Sequence, residues 1–335
     1  MIATLAYIGA VQLSAEGLDE LIKQGIVPEL VCTLHPHLAY RHSDYADLRP
    51  IAEANGIPLL YVDNINTLDV MTALRDLQPD YIFVIGWSQI IKSELLHLPQ
   101  KSTVGFHFAY LPRNRGRAAI PWAILNQEKE AGVSLMHLDE GIDSGNLVTQ
   151  RSYPVEPDET SETLYKKVCG GLRQMMGEVA SLLQRGVELP SIPQDHSRAT
   201  YLAKRTADDG WIDWEKSASD IERIIRANGH PYPGAFTIYD NQRLIIWKAR
   251  RRVSYNQTGT IGQVLAVNED GSVIVQCGSG WLDLLEVQRD EDTPSSAGQC
   301  FKRIHERLGI NIYQLWKAHR ELTDKIEELA KKQLI

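Results

Sequence analysis

The chain has 335 residues, 43% hydrophobic and 23% charged, with a formal net charge of −8. That balance excludes a disordered chain and leaves room for two domains with at least one sizeable core. No apolar run approaches the roughly 20 residues of a membrane helix, and the acidic excess argues against nucleic acid as the main partner, because neutralising phosphates takes a basic surface. The opening MIATLAYIGAVQLSAEGL has neither a basic start nor a cleavage site and reads as a core strand rather than a signal peptide. Cys32, Cys169, Cys277 and Cys300 are scattered without a CxxC pair. Such thiols suit a reduced, cytoplasmic protein and not a disulfide framework or a zinc site.

In chain order, strands are expected at 3–9, 29–34, 58–62, 81–86 and 103–108, separated by amphipathic helical stretches, the first two closed by glycine. Strands alternating with helices imply a Rossmann-like α/β fold, with a mostly parallel sheet and helices on both faces. Ligands of such sheets sit beyond the carboxyl ends of the strands, which singles out GWSQII after the fourth strand and HFAYLPRNRGR after the fifth. No GxGxxG follows the first strand, so a dinucleotide site has no support there. A long helix is expected from Ser161 to Arg185, then a proline-containing linker, then the helix SASDIERIIRANG. The period changes next. GAFTIY, RLIIWKA, GTIGQVLAV, SVIVQC and WLDLLEV are short runs with turn signals between them, as in a small antiparallel OB-like β-barrel. The C-terminal helix carries Ile312, Leu315, Leu322, Ile326 and Leu329 on one face, which should pack on the chain's own body or on a second subunit, as in a homodimer. The domains read as 1–190, a linker at 191–216, a β-rich domain at 217–295 and a helical extension at 296–335.

Chemically useful side chains concentrate in residues 105–145. His107 ends a predicted strand, and the loop after it offers Arg113, Arg115 and Arg117 around Gly116 as donors to an anion or a carbonyl oxygen. Arg117 is expected to meet ligand and Arg113 to be solvated. Further on, Asp139, Glu140 and Asp143 share a loop broken by Gly141 and Gly145. A histidine and a carboxylate on neighbouring loops can form an oriented acid–base pair. His35-Pro-His37 with His42 reads as a surface loop, and no metal site is expected. Trp87 reads as a packing residue.

Gly105-Phe-His107, Tyr110-Leu-Pro-Arg-Asn-Arg-Gly116 and Glu140-Gly-Ile-Asp143-Ser-Gly145 resemble, in this order, the signature of the formyltetrahydrofolate-dependent formyltransferases. Residues 198–236 are similar to that family's linker and second domain, so the resemblance covers roughly residues 1–290. It implies transfer of a formyl group from N10-formyltetrahydrofolate to a primary amine, with His107 as the acid/base and Asp143 orienting it. Gln89, Ile90, Ile91 and Arg117, with Asp139, Glu140, Gly141, Ile142 and Asp143, would hold the cosubstrate, and Trp87 would shape its slot. One position departs: Gly105 stands where the family has asparagine. An amine attacking a formyl carbon makes an oxyanion that needs a donor, and losing one typically costs about 10²–10³ in rate. Asn114, Arg117 and Gln89 are the candidate replacements.

Two branches of the family share this domain order, one formylating initiator methionyl-tRNA and one formylating nucleotide-linked amino sugars. The acidic balance favours the small substrate, and Arg-Gly-Arg at 115–117 resembles the aminoarabinose formyltransferases, with Trp122 bordering the sugar pocket. The alternatives are methionyl-tRNA formylation, a hydrolase passing the group to water, and a folate-binding protein without transfer activity.

Overall fold

Leu5, Ala6, Tyr7 and Ile8 form the central strand β1 (Leu5–Ile8), and all four side chains are shut away from solvent. The computed structural model describes residues 3–289, 292–301, 303–310 and 312–333. β1 pairs in parallel with β2 (Leu30–Leu34) on one side and with β4 (Tyr81–Val84) on the other. Outside these lie β3 (Leu59–Val62), parallel to β2, and β5 (Ser102–His107), parallel to β4. The other edge is antiparallel: β7 (Glu130–His137) pairs with β5, and β8 (Leu147–Pro154) pairs with β7. The order is therefore β3-β2-β1-β4-β5-β7-β8, and the winding reverses at β1, a topological switch point.

The helices α1 (Gln12–Lys23), α2 (Arg49–Ala54), α3 (Leu68–Leu77), α4 (Ser93–Leu96) and α5 (Ala119–Leu125) lie between these strands in sequence. The β1–α1 turn has no glycine-rich phosphate loop. Its tightness comes from the buried Ser14 hydroxyl, which donates to the Ile85 carbonyl (2.6 Å) and accepts from the Ala10 and Val11 amides (3.1 Å each). α6 (Ser161–Gln184) packs against α1 along a stripe that includes Leu164, Val168, Leu172, Met175 and Val179, spaced at helical intervals.

This first unit runs to Thr206 and includes His230–Pro233. The sequence suggests a linker from 191, yet 191–206 belong to this unit. There β9 (Tyr201–Leu202) pairs in parallel with β6 (Arg115–Gly116). Two residues are too short a run to show any period, which is why the pairing is invisible in sequence.

The second unit comprises Ala207–Gly229 and the chain from Gly234 on. It holds α7 (Ala218–Asn228) and the strands β10 (Ala235–Tyr239), β11 (Gln242–Arg252), β12 (Val264–Val267), β13 (Val273–Gln276), β14 (Trp281–Arg289) and β15 (Ser295–Ser296). The strands form one antiparallel sheet in the order β10-β11-β14-β13-β12, with β15 on β14. Ile221 and Ile225 of α7 bury against Leu244, Ile246, Val275 and Leu284 of the sheet. The short α8 (Ala297–Cys300) precedes α9 (Ile312–Gln333), whose Ile312, Leu315, Leu322, Ile326 and Leu329 are all exposed. Among the described residues, none covers that face. No helix among the described residues is long and apolar enough to cross a membrane. The four cysteines are free, and burial pushes the Cys32, Cys169 and Cys277 thiols up to about 12, so these three act as packing residues.

Glu159, only 3% exposed, sits at the start of α6 and pairs with Lys167. Burial by itself would raise its pKa. The Lys167 ammonium, the Thr163 hydroxyl and the Glu156 amide outweigh that and hold the carboxyl below the ordinary glutamate value of 4.5. A carboxyl whose folded pKa lies below its unfolded one stabilises the fold above the unfolded value. It loses that contribution as pH falls through the folded one. Denaturant unfolding from pH 7 downward should show stability falling once pH drops below about 4.5. Glu159→Gln should be less stable at pH 7 and have a shallower acid slope; equal slopes would contradict the pairing.

Candidate active site

The switch point lies between the carboxyl ends of β1 and β4, and next to β4 His107 is the last residue of β5, 8% exposed. Bringing a carboxylate to it poses a geometric problem. β7 runs antiparallel to β5, with His137 opposite Val104, so the loop after β7 starts three residues back along β5 from His107. The loop must therefore reverse. It does so with Asp139 Oδ1 accepting from the Gly141 amide (3.0 Å) and the Ser144 hydroxyl (2.7 Å), and with Asp143 in the left-handed region at φ +50°. At Gly145 a Cβ would lie 1.8 Å from the His137 carbonyl, so only glycine closes this turn onto the strand.

The outcome is that Asp143 Oδ2 lies 3.5 Å from His107 Nδ1, near enough for ionic attraction and long for a hydrogen bond. The same oxygen accepts from the Gly116 amide at 2.7 Å. His107 Nε2 lies 2.8 Å from the Asn114 carbonyl, which can only accept, so this nitrogen donates. Both ring nitrogens thus face oxygens of the protein, and neither is open to an incoming amine.

The 110–117 loop is held from below. The Arg115 and Arg117 amides bond to the Thr200 and Leu202 carbonyls (2.9 and 3.3 Å), and the Asn114 amide bonds to the Thr200 hydroxyl (2.8 Å). Of its three arginines, Arg113 is exposed as expected, and Arg117 is exposed with Nη2 3.4 Å from the Ser88 carbonyl. Arg115 is the buried one, at 2% exposure. Nothing in the alternating pattern Arg-Asn-Arg-Gly-Arg distinguishes it, and its partner Gln194 lies in the stretch that reads as linker.

Gln89, expected beside the ligand, spends both ends of its amide locally: Oε1 accepts from the Ile65 amide (3.0 Å) and Nε2 donates to the Asp63 carbonyl (2.9 Å). It fixes the loop that presents Ile90, which is 78% exposed, while Ile91 packs partly into the core. On the 139–143 loop Ile142 is 62% exposed, and Glu140 accepts from the Ser93 hydroxyl (2.7 Å), tying this loop to the start of α4. Both isoleucines leave apolar surface open to a ligand. Trp87 packs, partly buried, against the core over the parallel sheet and against the small cluster of Ala10, Leu34 and Leu38, as expected. Trp122 donates from Nε1 to the Ala203 carbonyl (3.0 Å) beneath the Arg205 guanidinium. His35 and His37 contact each other, and no metal-binding group of three or more His, Cys, Asp or Glu occurs among the described residues.

At Gly105 a Cβ would lie 2.4 Å from Leu138 Cδ2 and 2.9 Å from its Cγ. The space of a side chain at 105 is filled by Leu138. Of the three candidate donors, Gln89 is spent, and Asn114 gives its amide hydrogens to the Glu128 carboxylate (3.0 Å to each oxygen). Arg117, with five N–H donors and one used on Ser88, has donors to spare.

Residues 46–179 match the Formyl transferase family and residues 204–305 the Formyl transferase C-terminal domain family. The methionyl-tRNA formyltransferase of Geobacter metallireducens is 34% identical over 265 residues, 79% of this chain and 83% of that protein. Among solved structures, HypX from Aquifex aeolicus in complex with tetrahydrofolic acid superposes with a TM-score of 0.63 at 18% identity. It covers 90% of this chain, which spans about half (47%) of HypX. The N-formyltransferase from Helicobacter canadensis, solved with folinic acid and dTDP-3-aminofucose, gives 0.61 at 19% identity, over 86% of this chain and 100% of that one.

Because Leu138 occupies the space, Gly105→Asn should destabilise the fold by about 1–3 kcal/mol through overpacking and should slow the chemistry. Adding Leu138→Ala vacates the space, so the double variant should melt higher than the single one. A single variant as stable as the wild type would contradict the packing.

Proposed function

The chain belongs to the formyl transferase family, and on that premise we propose that the amine it formylates is carried by a small nucleotide-linked amino sugar. The enzyme is a formyltransferase that draws its formyl group from N10-formyltetrahydrofolate. We take the first unit as its catalytic domain. Ile90 and Ile142 would bracket the pterin with the backbone of the Gln89–Ile91 and Asp139–Asp143 loops, and the bound cosubstrate supplies an activated formyl carbon.

The chain's own side chains then have two tasks. As the amine bonds to the formyl carbon it must lose a proton, which His107 takes, with Asp143 stabilising the charged ring; the ring returns that proton to N10 as the C–N10 bond breaks and tetrahydrofolate leaves. For this, Nε2 must leave the Asn114 carbonyl and give up its hydrogen, so that the neutral ring carries its proton on Nδ1 toward Asp143 and offers the Nε2 lone pair to the amine; catalytic contacts commonly tighten only in the substrate complex. The oxyanion must meet a donor, and with Gly105 bare we assign that to Arg117.

The observation that favours a small acceptor over tRNA is charge. The second unit carries 17 Lys and Arg against 19 Asp and Glu. Its basic run at 248–252 is largely neutralised: Arg250 and Arg252 pair with Asp283 (3.0 and 2.7 Å), and Lys248 pairs with Glu286 (2.6 Å). A domain that grips a polyanion needs such charges free. The 34% identity to a methionyl-tRNA formyltransferase supports tRNA as the second reading. The four free cysteines suit a cytoplasmic enzyme.

A second copy is the occupant we assign to the α9 face. Leu315, Leu322 and Leu329 recur every seven residues, with Ile312 and Ile326 at the complementary positions, the spacing of a two-stranded coiled coil. Truncation after Gly309 should halve the mass measured by light scattering; an unchanged mass would contradict the dimer.

Release of tetrahydrofolate should be followed with no amine, with nucleotide-linked 3-amino and 4-amino sugars, and with methionyl-tRNA. Release dependent on an amino sugar is expected. Release only with methionyl-tRNA, or without any amine, would overturn the proposed acceptor. His107→Ala should slow transfer at least about 10²-fold while binding folate normally; a wild-type rate would sink the assignment of the base.

A further inference from the structure

Arg115 is the largest side chain among those fully buried, yet no carboxylate lies within ion-pairing distance of it among the described residues. Its partners are neutral acceptors: the Tyr201 hydroxyl (3.1 Å from Nη1), Gln194 Oε1 (2.7 Å from Nη2) and His196 Nδ1 (3.1 Å from Nη2), while Nε has no partner. A buried charge without a counter-ion is costly, and an apolar residue of similar volume would serve a merely structural role at least as well.

What the charge does is visible at Gln194. The guanidinium has only donors, so the Gln194 amide must turn its oxygen toward Arg115 and its nitrogen away. That nitrogen gives both hydrogens to the loop opposite, one to the Asp143 carbonyl (2.9 Å) and one to the Gly145 carbonyl (2.7 Å). These carbonyls flank the point where the chain, left-handed at Asp143, turns back toward β5. At the same time the Gly116 amide, one residue along from Arg115, holds the Asp143 carboxylate. Asp143 is gripped by its backbone through Gln194 and by its side chain through Gly116, and both grips originate from Arg115–Gly116.

We propose that Arg115 and Gln194 are positioning residues, which hold the left-handed turn at Asp143 so that its carboxylate faces His107. The proposal rests on the acid–base reading of His107 and Asp143. Neither residue touches substrate in this account. Their effect is transmitted through the 143–145 backbone, and a displacement of about 1 Å at a catalytic group can cost roughly 10²-fold in rate.

The test uses Gln194→Leu, which removes both donors, Gln194→Glu, which keeps the contact to Arg115 and loses the donors, and Arg115→Met. Two readouts are taken on the full chain. The first is the ring 15N signature of His107 Nδ1, assigned with His107→Gln, which needs no turnover. All three variants should move it in the direction that Asp143→Asn does. The second is the kinetic split: kcat should fall at least about tenfold, while the KM for N10-formyltetrahydrofolate changes less than twofold. Should Arg115→Met fail to fold, the Gln194 variants carry the test. A wild-type His107 signature in the Gln194 variants would overturn the proposal, as would a raised KM at unchanged kcat. If the signature moves while no amine is formylated even by the wild type, the positioning stands and the transfer reading falls.

Discussion

The hydrogen bond from the Gly116 amide to Asp143 Oδ2 joins two loops that the sheet would otherwise keep apart. β5 ends at His107, and the antiparallel β7 delivers its following loop well back along that strand. A carboxylate can reach the histidine only if the chain doubles back and something catches it, and the catch is a backbone donor in the arginine loop. That donor is itself fixed, because Gly116 sits at φ +104° with the Leu202 carbonyl 2.4 Å from where a Cβ would stand. No other residue fits between the two strands there. The pairing of Arg115–Gly116 with Tyr201–Leu202 is therefore a precondition for the His107–Asp143 pair, though it lies in the least regular part of the unit.

The site's other peculiarity follows from packing. Leu138 fills the place of a side chain at 105, and Leu138 immediately precedes the loop that carries Asp143. The glycine is therefore part of the packing that seats this loop and not a gap beside an otherwise unchanged site. On the proposed mechanism the charge on the oxyanion oxygen is then met from elsewhere, and an arginine brings a full positive charge where an asparagine would bring a dipole.

Much of this was legible in the sequence because it is periodic or chemically rare. The five parallel strands, the long helix from Ser161, the β-type runs after Ala235 and the His107, Asp143 and arginine-loop constellation all follow from spacing and residue type. What was hidden depends on single contacts between distant positions. Gln194 looks like a linker residue, and only the fold shows its amide bridging Arg115 and the 143–145 carbonyls. Gln89 looks like a ligand-binding amide, and only the fold shows both its ends used on Asp63 and Ile65. Likewise Arg113, Arg115 and Arg117 are equivalent by type, and burial alone separates them.

On the proposed mechanism Asp143 acts on the chemistry through His107 and not on cosubstrate binding. The most direct measurement is single-turnover formyl transfer by Asp143→Asn, with folate affinity measured on the same preparation. An amide keeps the size and can still accept from the Gly116 amide, but it cannot stabilise a charged imidazole. The rate should fall by about 10²-fold or more with folate affinity unchanged. A wild-type rate, or a loss explained wholly by weaker folate binding, would contradict it.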